Sequence, residues 1–117
     1  MRYLSFVFEG GLMLESKFQA TLIKDLEKMF KGSIVLKNDP NYIQGIPDIV
    51  IFYKDKYAFL ECKRYKGSPK QCNQSYYINY IDLMSFARFI YPGNREEVLD
   101  ELQQAFGLRG QTRIFKC

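Results

Sequence analysis

The sequence contains no histidine. It therefore cannot form a Ser-His triad, a Cys-His dyad or a histidine-ligated zinc site, and any catalysis must use carboxylates, lysine, hydroxyls, thiols or a hard metal ion. Cysteine is scarce as well: Cys62, Cys72 and Cys117 form no Cys-x-x-Cys pair, and their odd number argues against a disulfide framework. We therefore expect a reducing, intracellular setting such as the cytoplasm.

Long hydrophobic runs are also missing, since no segment approaches the roughly 20 apolar residues of a membrane span. The apolar stretch over residues 1–8 is too short for a signal-peptide core and ends at Glu9, so we interpret it as a short strand. The length of 117 residues predicts a single domain over 1–117. A net charge of +4 permits an anionic partner such as nucleic acid without demonstrating one.

Periodicity predicts an α/β fold in which helices flank a sheet. The predicted order over residues 12–106 is α-β-β-β-α-β followed by a C-terminal helix. The predicted elements are helix 14–31, strands 33–37, 49–53 and 57–63, helix 69–84, strand 86–91, a helix that Asn94 caps, and a short strand in the tail 108–117. The apolar side of the second long helix is assigned to Tyr76, Tyr77, Tyr80, Ile81 and Met84.

The segment 44–64 reads as two strands that are joined by a tight charged turn. Because successive side chains in a strand alternate between faces, Glu61 and Lys63 share one face and Cys62 lies on the other. If residues 55–56 form a two-residue turn, Asp48 lies opposite Lys63. Asp48 then shares a face of the sheet with Glu61 and Lys63. A regular three-residue turn would put Asp48 on the wrong face unless a bulge intervenes. The pattern therefore predicts an even-length turn or a bulge near Asp48.

Two carboxylates at the ends of paired strands can share a hard divalent cation such as Mg²⁺. Such a cation polarises a phosphoryl oxygen and activates water, and Lys63 on the same face can hold that water or offset transition-state charge. Glu15 lies on the apolar stripe of the first helix, so it is a further candidate ligand; alternatively, it only favours the helix dipole. Glu61 and Lys63 can equally be a solvated surface pair, with Asp48 a turn residue.

The residues Gly45-Ile46-Pro47-Asp48, followed thirteen positions after the aspartate by Glu61-Cys62-Lys63, resemble the PD-(D/E)XK nuclease superfamily. The closest similarity is to small VRR-NUC and phage Holliday-junction-resolvase-like endonucleases. The resemblance implies a restriction-endonuclease-like core with a mixed sheet. It also implies that Asp48, Glu61 and the Cys62 backbone carbonyl bind Mg²⁺, for which Mn²⁺ would substitute. Lys63 would position the attacking water, with Glu15 supporting the metal.

In those families a glutamine opens the helix after the lysine strand and touches water or phosphate. Gln74 is our preferred counterpart, and Gln71 is an alternative. A basic group beside the proposed metal predicts contacts with a DNA backbone, or else an ordinary solvated edge; it consists of Lys63, Arg64, Lys66 and Lys70. Four arginines are candidates to extend this surface: Arg88, Arg95, Arg109 and Arg113. The tyrosines of the second helix can stack on bases, although their spacing is also typical of a core or a dimer interface.

The favoured interpretation is a metal-dependent DNA endonuclease that selects junctions or flaps, since no sequence-reading module is evident. Symmetric junction cleavage would require a homodimer, for which the tyrosine-rich helix is a candidate surface. One alternative is a non-catalytic nucleic-acid-binding or interaction protein on a nuclease-like scaffold. Another is a nuclease that works only within a larger assembly.

Overall fold

The computed structural model describes residues 11–107, with side chains from residue 15 onward. The strands predicted within residues 1–8 and 108–117 lie outside this range. The described elements are α1 (Gly11–Met29), β1 (Ile34–Lys37), β2 (Ile49–Tyr53), β3 (Lys56–Cys62), α2 (Cys72–Met84), β4 (Ala87–Ile90), a 3-10 turn (Pro92–Asn94) and α3 (Arg95–Ala105). In this part of the chain, no helix combines the length and apolar character needed to cross a membrane.

The four strands form one mixed sheet in the order β1-β2-β3-β4. β1 with β2 and β2 with β3 are antiparallel, whereas β3 with β4 is parallel. The parallel pair requires a crossover, and α2 supplies it between the two strands. The prediction of an α/β domain with a mixed sheet and flanking helices is confirmed, and the predicted element order is observed. The finer restriction-endonuclease-like assignment stays a prediction.

Alternation along the strands gives the sheet two different faces. One face packs against α1 and α3 around the fully buried Leu26, Leu60 and Leu102. The other face packs against α2 through Ile78 and Ile81. The spacing of four apolar residues in the last helix predicts a buried stripe, and the structure confirms it: Val98, Leu99, Leu102 and Phe106 are all buried. On this face, α2 covers β3 and β4.

The β2–β3 turn has the predicted even length but starts one residue earlier than expected. Tyr53 pairs with Lys56, so the two turn residues are Lys54 and Asp55, and Lys54 adopts a positive φ of 58°. Continuing this register by one pair beyond Ile49 and Leu60 puts Asp48 opposite Glu61 instead of opposite Lys63. The predicted register was wrong by two residues. Because side chains alternate between faces with a period of two, a shift of two residues still leaves Asp48, Glu61 and Lys63 on the same face.

The predicted start of α2 was wrong, since the helix begins at Cys72 after Gln71 and not at the expected Ser68 and Pro69 pair; the backbone at Gln71 is still extended. Its predicted apolar side was right in part: Ile81 is buried, and Tyr77 packs against the same cluster. Tyr76, Tyr80 and Met84 are exposed instead, and Ile78, which was not assigned to that side, is buried. Apolar residues occur nearly all around this helix, so periodicity alone could not identify the face that packs on the sheet.

Asn94 precedes α3 as predicted, but its side chain does not cap that helix. Instead, its Oδ1 accepts a hydrogen bond from the backbone N–H of Tyr91 at 2.8 Å, and its Nδ2 donates to the carbonyl of Phe89 at 3.1 Å. The side chain therefore fixes the turn after β4. α1 spans Gly11–Met29 instead of the predicted 14–31, and Gly32 adopts a φ of 89° in the turn that follows it.

Candidate functional site

Asp48 and Glu61 meet where β2 begins and β3 ends. The backbone N–H of Asp48 donates to Oε1 of Glu61 at 3.1 Å, and the backbone N–H of Cys62 donates to Oδ2 of Asp48 at 2.9 Å. Each acid is thus held by the backbone of the neighbouring strand. Within a strand, the N–H and C=O of one residue point the same way, so the Cys62 carbonyl also faces the Asp48 side. The predicted convergence of these residues is observed.

Gln74 joins the acid to the lysine. Its Nε2 donates to Oε2 of Glu61 at 2.8 Å, and its Oε1 accepts a hydrogen bond from Nζ of Lys63 at 2.8 Å. The backbone N–H of Gln71 also donates to that Oε1, at 3.2 Å, while the Gln71 side chain is exposed. Gln74, not Gln71, is therefore the glutamine at the site. It bridges two predicted catalytic side chains.

Lys63 is nearly buried, at 9% exposure, and its ammonium group has a defined position. Besides Gln74, Nζ donates to the carbonyl of Pro69 at 3.0 Å, and it lies 3.8 Å from Oε2 of Glu61. Pro69 stays outside α2, so its carbonyl is free of helical hydrogen bonding and can accept this bond. A buried charged amine beside a carboxylate is a costly arrangement that structural packing does not require.

Both acids of the site have a raised pKa. Burial, and then the charge of Asp48, raises the pKa of Glu61 to about 8, against an ordinary value of 4.5. Burial also raises the pKa of Asp48, although the hydrogen bond from Cys62 and the charge of Lys63 oppose the change. A bound cation would favour the ionised form of both groups.

Glu15 lies beside this pair without contacting it directly. Its side chain is one-third exposed, and its Oε1 lies 4.0 Å from Nε of Arg64. Burial and the nearby charge of Asp48 raise its pKa. The helix-dipole alternative loses support, because α1 begins at Gly11 and its first turn contains no acid. Glu15 is thus close enough for the charge of Asp48 to affect its pKa, and it remains a candidate outer ligand of the metal.

The donor set fits a hard cation such as Mg²⁺. Among residues 15–107, no cluster of three or more histidine, cysteine, aspartate or glutamate side chains is arranged to hold a metal ion. The site instead offers the carboxylate pair of Asp48 and Glu61, and no described residue donates a hydrogen bond to Oδ1 of Asp48. Mg²⁺ is commonly bound by one or two carboxylates and completes its shell with water and substrate oxygens.

The turn before β2 depends on Gly45, which has a φ of 90°. A Cβ there would lie 2.2 Å from Cβ of Asn73 at the start of α2, so only glycine allows this approach. Asn38 holds the same turn from the β1 side. Its Nδ2 donates a hydrogen bond to the backbone carbonyl of Pro47 at 2.8 Å, and its backbone N–H donates to the backbone carbonyl of Asp48 at 2.7 Å. Sequence reasoning missed Asn38, whose only signal was its position in a polar loop.

Phe89 is a second residue that sequence reasoning missed. It pairs with Glu61 across the parallel strands, and its ring lies 4.9 Å from Nζ of Lys70 and 5.9 Å from Nζ of Lys63. An aromatic face attracts cations, so Phe89 helps to hold Lys70 next to the site. The ring was predicted only as part of a strand, and no local pattern indicated this contact.

The other predicted basic residues divide into two groups. Arg64 and Lys66 are exposed in the loop that follows β3. Arg88, in contrast, is bound by two carboxylates: Nη1 lies 2.6 Å from Oδ1 of Asp82, and Nε lies 3.1 Å from Oε1 of Glu101. Its guanidinium group joins β4 to α2 and α3. We therefore interpret Arg88 as structural and do not retain it among the nucleic-acid contacts.

Comparison with protein-family models, with curated proteins and with solved structures finds no match for this chain. Any function proposed for this chain therefore depends on the geometry of the site and on the residue pattern of its sequence.

Proposed function

We propose that the chain is a divalent-metal-dependent nuclease that hydrolyses phosphodiester bonds in DNA. The observation that carries this proposal is the hydrogen-bonded group of Asp48, Glu61, Lys63 and Gln74, in which two acids adjoin a buried amine. A surface pair would leave these groups solvated and would not require a glutamine bridge. The resemblance to the PD-(D/E)XK pattern supports the same assignment.

In this proposal, Asp48 and Glu61 hold Mg²⁺, with the Cys62 carbonyl and Glu15 as further oxygen donors. When bound, the cation supplies Lewis-acid activation of the phosphate and of water. Lys63 orients the attacking water or offsets the charge that develops on the phosphate, because its ammonium group is fixed by two acceptors. Gln74 keeps Glu61 and Lys63 at a constant separation. The exposed Lys70, together with Arg64 and Lys66, attracts the DNA backbone.

Three finer parts belong to the same proposal: selectivity for junctions or flaps, a homodimer, and, from the resemblance to phage resolvase-like enzymes, a phage-encoded protein that acts in the cytoplasm of a bacterial host. A non-catalytic nucleic-acid-binding protein on this scaffold is the second candidate. The observation in its favour is that the described residues provide only a pair of clustered acids rather than a complete ligand set. Against it stands Lys63, since a protein that only binds DNA gains nothing from burying a lysine between two acceptors.

The test compares the DNA-cutting activity of two lysine variants. Lys56 is the first residue of β3, and Lys63 follows the last one. Lys63→Ala removes the buried amine, whereas Lys56→Ala, at the far end of β3, is the matched control. Each protein, together with Glu61→Gln, is incubated with Mg²⁺ or Mn²⁺ and linear, flapped or four-way-junction DNA. We expect about 100-fold or greater loss of cutting for Lys63→Ala and Glu61→Gln, the usual contribution of a catalytic group, and none for Lys56→Ala.

Two results would reject the proposal. If wild-type protein binds these DNAs but never cuts them with either metal, the binding protein is the better assignment. If cutting occurs and both site variants retain it, the nuclease site lies elsewhere. As an independent check of backbone contacts, binding should weaken steadily as the salt concentration rises.

A further inference from the structure

The outer side of α2 carries large apolar side chains that the core does not use. Ile78 and Ile81 pack the helix on the sheet. At about 100° per residue, Tyr76 and Leu83 lie on the side of the helix opposite to these two residues. They are 59% and 87% exposed. A helix with apolar residues all around is typically buried, so we expect the outer side of α2 to be covered by a partner.

Beside α2, half of the same sheet face is left open by the described residues. Ile34 pairs with Phe52, and Phe52 pairs with Tyr57, which packs against the α2 cluster. Directly opposed side chains share a face, so Ile34, Leu36 and Phe52 lie on the α2 side of the sheet. Because α2 covers β3 and β4, these three residues of β1 and β2 are 59%, 48% and 45% exposed. They form an open apolar floor.

One flank of α2 borders this floor. On that flank, Asn73 donates a hydrogen bond to a backbone carbonyl of the loop before β2. On the opposite flank, Asp82 binds Arg88 of β4. At about 100° per residue, Tyr80 and Met84 lie within about 20° of Asn73 around the helix. Since both are more than half exposed, the helix and the floor form a step with two apolar surfaces.

The composition and the area of this step are those of a protein interface. Asp82 is the single charged residue of α2, while tyrosine and methionine are abundant. Loss of charge together with enrichment of these residues is the compositional signal of an interface core. At about 200 Å² for each large side chain, the exposed fractions of the seven residues of the floor and of α2 amount to about 800 Å². A standard dimer buries about 800 Å² per partner, whereas the largest patch on a typical monomer is about 300–600 Å².

We propose that this step is the interface of a symmetric homodimer, in which α2 of each copy packs on the open floor of the other. A two-fold axis parallel to α2 places the two helices side by side between the two sheets. The outer side of each helix is then covered by the partner's floor, and the two flanks contact each other. Only a second copy supplies both a helix for the floor and a floor for the helix.

The proposed arrangement brings together particular residues of the two copies. The hydroxyl of Ser85 donates to the carbonyl of Tyr57, so the end of α2 with Leu83 lies at the level of the Phe52 and Tyr57 pair. An axis parallel to the helix keeps this level, and Leu83 of one copy therefore meets Ile34 and Phe52 of the other. The inference depends on the apolar surface and not on the nuclease assignment.

The test measures the mass of the full chain by analytical ultracentrifugation, without DNA or metal. Leu83→Glu changes the helix and Ile34→Lys changes the floor. Tyr65→Glu is the control, because Tyr65 is 52% exposed in the loop after β3, outside the step. We expect wild type and the control to sediment at twice 13.8 kDa. Each step variant should weaken dimerisation about 100-fold or more, since a symmetric interface would bury two unpaired charges.

An equimolar mixture of Leu83→Glu and Ile34→Lys should form heterodimers, which energy transfer between labelled chains detects. In the mixed dimer, one contact pairs the two new charges and the other contact is that of wild type. The proposal is overturned if wild type is monomeric up to its solubility limit, or if both variants remain dimeric. Folded variants that dissociate without forming a heterodimer would also overturn it, because Leu83 would then not meet the partner's floor. A dimer that never cuts DNA would reject the nuclease function alone.

Discussion

Glu61 makes the stability of the metal-free protein depend on pH in an unusual direction. Its pKa rises from 4.5 to about 8 in the folded protein, first through burial and then through Asp48. Between these pH values the folded state keeps a proton that the unfolded state releases. The free energy of unfolding should therefore decrease as pH rises above 4.5 and level off above about 8. An ordinary salt-bridged acid has the opposite effect.

The size of the effect follows from the shift. One proton contributes about 1.4 kcal/mol per pH unit, and the interval from 4.5 to about 8 gives about 5 kcal/mol as an upper bound. The pKa values of Asp48 and Glu15 are also raised, so both add to the slope in the same direction. A loss of this size is a large fraction of the stability of a typical domain.

Urea unfolding between pH 5 and pH 9, in the presence of a chelator, measures the slope directly. Glu61→Gln should flatten it by up to about 1.4 kcal/mol per pH unit, because the amide does not titrate. Mg²⁺ should flatten the wild-type slope as well, since a cation favours the ionised acids. Leu83→Ala, which shortens an exposed side chain that has no ionisable group, is the control and should leave the slope unchanged. Equal slopes for wild type and Glu61→Gln would refute the reasoning.

Three further predictions concern the surroundings of the site. Gly45→Ala should lower the free energy of unfolding by about 2–4 kcal/mol in urea titrations, because its Cβ would collide with Asn73; a loss below 0.5 kcal/mol would contradict the close contact. In a variant that retains only Cys62, the thiol should not react with a thiol reagent until the protein unfolds, since burial, with nearby Asp48, raises its pKa well above the ordinary range. Phe89→Leu should weaken DNA binding about 2- to 5-fold at low salt by releasing Lys70, and unchanged affinity would show that the ring does not hold it.

The convergence of Asp48, Glu61 and Lys63 could be predicted without a structure because it depends only on parity. Side chains in a strand alternate with a period of two, so any even-length turn keeps all three on one face. The register itself was off by two residues, since the turn starts at Lys54 with a positive φ. The residue at which a turn starts cannot be predicted from the alternation of apolar and polar residues in the strands.

The sequence by itself determined the order of the elements, the buried stripe of α3 and the pairing of acids with a lysine at the end of β3. These features depend on contacts close in sequence or on strict periodicity. Only the tertiary structure decided that Gln74 bridges Glu61 and Lys63, that Arg88 is bound by Asp82 and Glu101, and that Tyr76 and Tyr80 face outward. Each of these outcomes depends on how α2 is rotated against the sheet, and a helix with apolar residues on several sides does not fix its own rotation.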